Sequence, residues 1–391
     1  MILNDQQEKI VKKAVDWFYN SSEQIFQYSG SAGTGKSVVM NAIIQALGLD
    51  ITEVAPMSFI GAAVIVMRRK GLINAKTVHS WLYELKWEDS NEMDGYLNRH
   101  KKKMVFVPKP LPPEKKLICI DEAGCVPHSL KAEIESRGLK VLACGDLNQL
   151  PPVKDKPAYL YDGHVEYLTK IMRQNENSGI VYLAQRILSG EPLEEGFYGN
   201  AIVMPDNLIS KDIIGQCEAI VCGKNATREK FNRYIRKNIF GFESTLPNYG
   251  EILVCRKNNW SQEVDGINLA NGLVGHIVNQ PDPSTFDGKT FMINFLPYNQ
   301  TNAFINLKCD YKYFVGSPED RQYIKSSPFF KGEKFEYAYA VTTHLSQGAQ
   351  YGTGAYIKEY LNASINKNLD YTGITRFSNG AFIFIPHKRF Y

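Results

Sequence analysis

Several classes of protein are excluded by what this chain does not contain. Its seven cysteines in 391 residues are odd in number and never fall in C-x-x-C spacing. Cys119, Cys144 and Cys222 sit in apolar, strand-like runs, so free buried thiols in a reducing compartment are expected rather than disulfides or zinc. No apolar run approaches the length of a membrane span. The N-terminal MILNDQQEKIVKK also lacks the apolar core of a signal peptide. A soluble, cytoplasmic protein without a membrane partner is the expectation. Charge of one sign is equally scarce, since 45 basic and 41 acidic side chains leave +4. That balance permits nucleic-acid binding without arguing for it. There is no internal repeat and no low-complexity segment. The remainder, 44% apolar and 22% charged, is ordinary globular composition, long enough for two domains with their own cores.

The strongest positive feature is GSAGTGKS, Gly30 to Ser37. It fits G-x-x-x-x-G-K-[ST], and its flanks fit as well: QIFQYS before it is dense in β-formers, and VVMNAIIQAL after it carries apolar residues at helical spacing. Strand, glycine-rich loop and helix are the context that gives this motif its meaning. Glycines let the backbone N–H groups from Gly30 through Ser31, Ala32, Gly33, Thr34 and Gly35 turn around phosphate oxygens, aided by the helix N-terminus. Lys36 is positioned to reach the β- and γ-phosphates, and the Ser37 hydroxyl to ligate Mg²⁺. The chain is therefore expected to bind a nucleoside triphosphate, ATP with Mg²⁺.

The rest of the first half alternates strand and helix. A helix over residues 5 to 19, capped near Asn4, precedes strand candidates QIFQYS, ITEVAP, KLICID and KVLACGD, ending at Gly30, Pro56, Asp121 and Asp146. This predicts an α/β fold with a parallel sheet whose carboxyl edge binds ligand. Residues 82 to 116 break the pattern with strand-like ends around a charged middle and a PKPLPP return, which predicts a β-hairpin. A second α/β region begins near 176, and short strands between about 250 and 335 predict a small inserted β-barrel. LICIDEAG sets Asp121 and Glu122 at a strand end. Asp121 suits Mg²⁺, and Glu122 suits orienting or deprotonating water. Gln149, in GDLNQLPPV, follows a strand expected beside that of Asp121, where its amide can sense a γ-phosphate.

GSAGTGKS, IDEAG and GDLNQLPPV together resemble motifs I to III of superfamily 1 helicases, above all the 5′→3′ branch of RecD-like and phage Dda-like enzymes. LTKIMRQ, with Arg173, is similar to motif IV; AYAVTTHLSQGAQY to motif V; DYTGITRFS, with Arg376, to motif VI. LNDQQ resembles the Q motif, in which Gln7 would read adenine, and KTVHSWLY resembles motif Ib, in which Thr77 and His79 would touch single-stranded DNA. The resemblance implies two RecA-like domains with ATP between them: 1A over 1–175, and 2A over 176–250 and 335–391. The hairpin at about 82–116 takes the place of a duplex-splitting 1B pin, with Trp87 and Phe106 either as pin aromatics or as packing at the hairpin's base, and 251–334 takes the place of a barrel-like 2B insert. It implies Arg173 and Arg376 closing on the γ-phosphate, and DNA contacts at Pro56, Thr77, His79, His344, Ser346 and Gln347. It further implies single-stranded DNA and single/double-strand junctions as partners, replication or recombination proteins beside them, function as a monomer and, for a phage source, the host cytoplasm.

Two motifs depart from the family pattern. Leu345 stands where motif V carries lysine, and the stretch from Ala55 to Ala63 lacks the usual threonine and lysine of motif Ia, with Arg68, Arg69 and Lys70 close behind. Both departures fall on DNA contacts rather than ATP chemistry. Two other functions share the ATP motifs: a translocase that strips proteins from DNA without useful unwinding, and a low-turnover P-loop switch that binds nucleic acid.

Overall fold

The computed structural model describes residues 3–94, 99–152, 155–171, 178–282, 284, 286–326 and 332–387. Helix Asp5–Asn20 opens with a full capping box, in which the Asn4 side chain accepts the Gln7 N–H and the Gln7 side chain accepts the Asn4 N–H. Such a cap is worth about 1 kcal/mol. The helix covers a six-stranded, all-parallel sheet in the order Lys76–Thr77, Val54–Ser58, Leu117–Asp121, Lys140–Gly145, Ile25–Gly30, Val165–Leu168. The central strands are buried along their length because both faces are covered, and alternate residues serve opposite cores. Leu117 and Cys119 pack with Trp17 and Val39, whereas Ile118 and Ile120 pack with Trp81 and Tyr159. One strand is displaced from the sequence expectation. An Asp50–Glu53 capping box winds Ile51–Glu53 into a 3-10 turn, so the strand starts at Val54 and ends at Ser58, not Pro56.

The hairpin expected at 82 to 116 pairs Tyr83–Asp94 with Arg99–Pro108. It leaves the first domain directly from helix Val78–Leu82 and returns through the proline-rich stretch. Arg137 ties down its base by donating to the Lys109 carbonyl. Trp87 lies in the outgoing strand, but its side chain is outside the described part.

A second six-stranded sheet runs Ala340–Thr342, Ala219–Cys222, Tyr351–Ile357, Phe377–Ile385, Ala201–Pro205, Gly196–Tyr198, parallel except for its last pair. Between Ala219–Cys222 and Ala340–Thr342 the chain builds a five-stranded antiparallel sheet: Phe304–Asp310, Thr290–Pro297, Val274–Ile277, Ile252–Cys255, Phe335–Tyr337. Glu333, just ahead of the last strand, donates to the Lys308 carbonyl and accepts the Asp310 N–H. That joins the two outer strands and closes a small barrel around Phe291, Phe295, Phe304 and Phe335. Buried ion pairs hold its base, with Lys334 on Asp310 at 2.8 Å and Arg228 on Glu336 at 2.6 Å. From the barrel, a two-stranded ribbon of Asn259–Val264 and Ile267–Leu269 reaches back to the first domain. All seven cysteines are free thiols. Among the described residues, no helix is long and apolar enough to cross a membrane.

Candidate nucleotide site and nucleic-acid face

The P-loop leaves its strand at Gly30 and turns through Gly33 and Gly35, whose φ values of 86° and 84° lie where only glycine is unstrained. A Cβ on Gly35 would also stand 2.5 Å from Gln7 Nε2. Ser31 and Thr34 close the turn, Thr34 Oγ1 donating to the Ser31 carbonyl at 2.9 Å. Helix Lys36–Ala46 then points its N-terminus into the loop. Lys36 Nζ folds back onto the Gly30 carbonyl at 2.8 Å, and Ser37 Oγ accepts Lys70 Nζ at 3.1 Å.

These groups border a cavity of about 370 Å³ that gathers Lys36, Ser37, Asp121, Glu122, Gln149 and Arg376. Five come from the carboxyl edge of the first sheet, and Arg376 comes from the second. Asp121 Oδ1 accepts the Glu122 N–H at 2.9 Å, and Glu122 holds a left-handed backbone, φ 51°. A non-glycine residue in that conformation stores strain, which here turns the carboxylate from the strand end into the cleft. Burial, and after it the Asp121 charge, holds the Glu122 carboxyl above its ordinary range, while Lys36 and Arg376 pull the other way. Gln149 lines the cleft, is buried, and its Oε1 has no hydrogen-bond partner. Arg376 is held by Nε on the Thr372 carbonyl at 3.0 Å and Nη1 on the Ala349 carbonyl at 3.2 Å. Arg173 lies outside the described residues.

The donor set fits Mg²⁺ carried by a nucleotide. Ser37 and Asp121 offer hard oxygens, and such an ion takes one or two protein oxygens and fills its octahedron with phosphate and water. Among the described residues, no cluster of three His, Cys, Asp or Glu could hold a metal unaided. Gln7, expected at the adenine, is otherwise engaged. Its Nε2 donates to the Thr34 carbonyl at 3.0 Å and its Oε1 accepts the Asn4 N–H at 3.1 Å, so it ties the first helix to the P-loop.

The residues expected at DNA divide into two groups. Thr77 caps helix Val78–Leu82, and His79 projects from that helix into a ring cluster with Phe59, Tyr83, Phe106 and Trp260 at centroid distances of 5.8 to 6.0 Å. Phe106 packs edge-on against Trp260 at 5.5 Å and remains 44% exposed. Burial lowers the pKa of both His79 and His344, so each presents a neutral ring near pH 7. The second group is interior. Pro56 is a buried strand residue whose carbonyl accepts Trp81 Nε1 at 2.8 Å. Ser346 is fully buried on the Thr343 carbonyl, and Gln347 Nε2 crosses to the Leu150 carbonyl at 2.7 Å. All three are interior in this structure, where Gln347 joins the two sheets' domains. Leu345, in the lysine position, packs against the second domain's core. Arg68 is likewise spoken for, donating to the carbonyls of Ala75, Asp265 and Gly266 and so clamping the barrel's ribbon to the first domain.

With this geometry, a family described as an AAA domain matches residues 2–201. The chain belongs to the AAA domain family. An uncharacterized protein of Methanocaldococcus jannaschii, MJ1519, is 23% identical over 471 aligned positions, which cover 98% of this chain and 39% of that protein. The ATP-dependent DNA helicase PIF1 of Candida albicans is 29% identical over 176 positions, 41% of this chain and 17% of that protein. The chain thus spans about two fifths, or less, of the length of the curated relatives it matches. Among solved structures, Bacteroides Pif1 bound to single-stranded DNA superposes with a TM-score of 0.57 at 17% identity, covering 99% of this chain and 95% of that one. The fold is therefore that of Pif1 helicases from end to end. The AAA match contains the P-loop, Asp121, Glu122 and Gln149; Arg376 and Trp260 lie beyond it. Trp260 was not legible as a site residue, because NNWSQEV is one more polar strand until the ribbon is seen to fold back on His79.

Proposed function

We propose that this AAA-family chain is an ATP-dependent DNA helicase that translocates 5′→3′ on single-stranded DNA and separates duplex strands. The observation that carries the reading is the single cleft in which Lys36, Ser37, Asp121, Glu122 and Gln149 of one sheet face Arg376 of another. Residues 1–175 act as RecA-like domain 1A with the pin at about 82–116, residues 176–250 and 335–391 as domain 2A, and residues 251–334 as the 2B insert. Lys36 and the P-loop N–H groups hold the β- and γ-phosphates. Ser37 and Asp121 hold Mg²⁺, which supplies charge neutralisation at the phosphates. Glu122 and the unpartnered Gln149 Oε1 align the attacking water and take its proton. Arg376, with Arg173, reaches the γ-phosphate only when the cleft is closed, which links hydrolysis to domain movement. Likeness to Pif1 helicases supports DNA as the track and the 5′→3′ direction.

The test is ATP turnover with and without single-stranded DNA, beside strand separation on 5′-tailed and 3′-tailed duplexes. Stimulated turnover with opening of the 5′-tailed duplex alone is the expected result. Turnover indifferent to any nucleic acid refutes it. Lys36→Ala should abolish turnover in a folded protein; unchanged turnover would remove the P-loop from the mechanism.

Useful unwinding, rather than bare translocation, is favoured by the bracing of the hairpin. Opening DNA costs on average about 1.4 kcal/mol per stacked step, so a pin must not yield under that load. Phe106 packs against both His79 and Trp260, which also touch each other, and aromatic pairs of this kind add about 0.5–1.5 kcal/mol each beyond burial. Trp260→Ala should therefore leave DNA-stimulated turnover near wild type and cut strand separation several-fold. Equal loss of both would mean that Trp260 serves the track and not the pin.

A further inference from the structure

Helix Asn366–Ile374 lays one face on the loop that follows the Lys140–Gly145 strand. Asn368, Tyr371 and Thr372 share that face because they stand three and four residues apart. Asn368 Nδ2 donates to the carbonyls of Asn148 at 2.9 Å and Gln149 at 3.2 Å, and Thr372 Oγ1 accepts the Leu150 N–H at 3.1 Å. Between them, Tyr371 is 1% exposed. Its phenol donates to Asp146 Oδ2 at 2.6 Å and accepts the Ala32 N–H at 2.9 Å. One hydroxyl of the second domain thus touches both the P-loop and the loop that carries Gln149.

We infer that Tyr371 is a positioning residue for hydrolysis, holding Arg376 in register with the P-loop and Gln149; the inference rests on the ATPase reading above. The linkage from phenol to guanidinium is short and stiff. Thr375 Oγ1 donates to the Tyr371 carbonyl at 2.9 Å, and Arg376 Nε donates to the Thr372 carbonyl at 3.0 Å. Asp146 is fixed in turn, its Oδ1 accepting the Asn148 N–H at 3.0 Å. A phosphate that shifts the Ala32 N–H therefore moves the Tyr371 oxygen, and with it the helix end bearing Arg376, without a flexible joint between them. The glycine-lysine motif alone needs no such partner, and a purely structural tyrosine would need only its ring in the core.

Tyr371→Phe keeps the ring and removes the hydroxyl. DNA-stimulated kcat should fall roughly tenfold or more, the scale of losing a hydrogen bond to a charged group in the reacting geometry. KM and the Kd for a fluorescent nucleotide should stay within about twofold, because Lys36, Ser37 and the glycine turn are unchanged and only the Ala32 N–H loses a partner. Asp146→Asn retains an acceptor for the phenol and should keep more kcat than Asp146→Ala. The double variant Tyr371→Phe/Asp146→Ala should be no slower than the slower single variant, as a shared interaction requires. Should Tyr371→Phe fail to fold, the Asp146 pair carries the same comparison. The inference is overturned if Tyr371→Phe leaves kcat unchanged, or if kcat, nucleotide affinity and Tm fall together. Lys36→Ala run alongside separates the two readings. A dead Lys36→Ala with an unaltered Tyr371→Phe refutes Tyr371 alone, whereas a fully active Lys36→Ala refutes the ATPase reading and the inference with it.

Discussion

Arg376→Ala should lower kcat for ATP hydrolysis by about 10³-fold or more while nucleotide affinity changes little. Arginines placed to meet a transferring phosphoryl group contribute roughly 10³–10⁵ in rate, which is about 4–7 kcal/mol of transition-state stabilisation. In this chain the guanidinium is 6% exposed and already oriented by the Thr372 and Ala349 carbonyls, so little ordering remains to be done when charge develops. Arg376→Lys should rescue poorly, because an ammonium lacks the planar fork that spans those carbonyls and a phosphate oxygen together. Removing the side chain also takes a donor from the Ala349 carbonyl and one of two side-chain donors from the Thr372 carbonyl, so Tm must be followed in parallel. A variant whose kcat and nucleotide affinity fall equally would show a binding residue and not a transition-state one.

How much of this was legible from sequence differs by element. The parallel sheet could be read because its central strands are largely apolar runs, three of them ending at Gly30, Asp121 and Gly145, and apolar runs are what burial on both faces demands. The nucleotide cleft could be read because the phosphate loop is a local structure, its glycines and Lys36 contiguous in the chain. Asp121, Glu122 and Gln149 follow because Asp121 ends a strand of that same sheet, Glu122 comes directly after it, and Gln149 lies in the loop just past the neighbouring strand Lys140–Gly145. Contacts across the chain were not legible. Trp260 and His79 meet only because Arg68 clamps a ribbon whose turn lies nearly 200 residues away. Tyr371 and Ala32 are 339 residues apart, and no local spacing marks them as partners.

The buried placements have one physical origin. A polar string such as TTHLSQG need not lie on the surface, because polarity forces exposure only when the groups lack partners. Ser346 satisfies its hydroxyl on Thr343, and Gln347 satisfies its amide on Leu150. Both are thereby free to be buried, and Leu345, just before them, turns to the apolar core. Gln7 is buried for the same reason, since its amide completes a helix cap and props the P-loop. The missing lysine of motif V ceases to be an anomaly once that segment is seen as a joint between domains.

Glu122→Gln should separate catalysis from stability in opposite directions. Turnover should drop by about 10²–10⁴-fold, the span of a positioned general base, with nucleotide binding retained because the P-loop and Ser37 are unchanged. Stability should move the other way in protein free of nucleotide and metal. Burial and the Asp121 charge raise the folded-state pKa of Glu122 above its unfolded value, so the folded protein binds the extra proton. Its stabilising contribution is complete below the unfolded pKa and is lost as pH rises through the folded pKa. Above the unfolded pKa the wild-type carboxyl therefore costs the fold stability, and the neutral amide relieves that cost. Tm of Glu122→Gln should exceed wild type at pH 7 in the presence of EDTA, and the difference should shrink toward pH 4. A difference that grows on acidification would reverse the sign and show that Glu122 is stabilised by its cationic neighbours more than it is opposed by burial. The expected pattern is that of a residue kept against the interest of the fold, which the left-handed backbone at the same position already indicates.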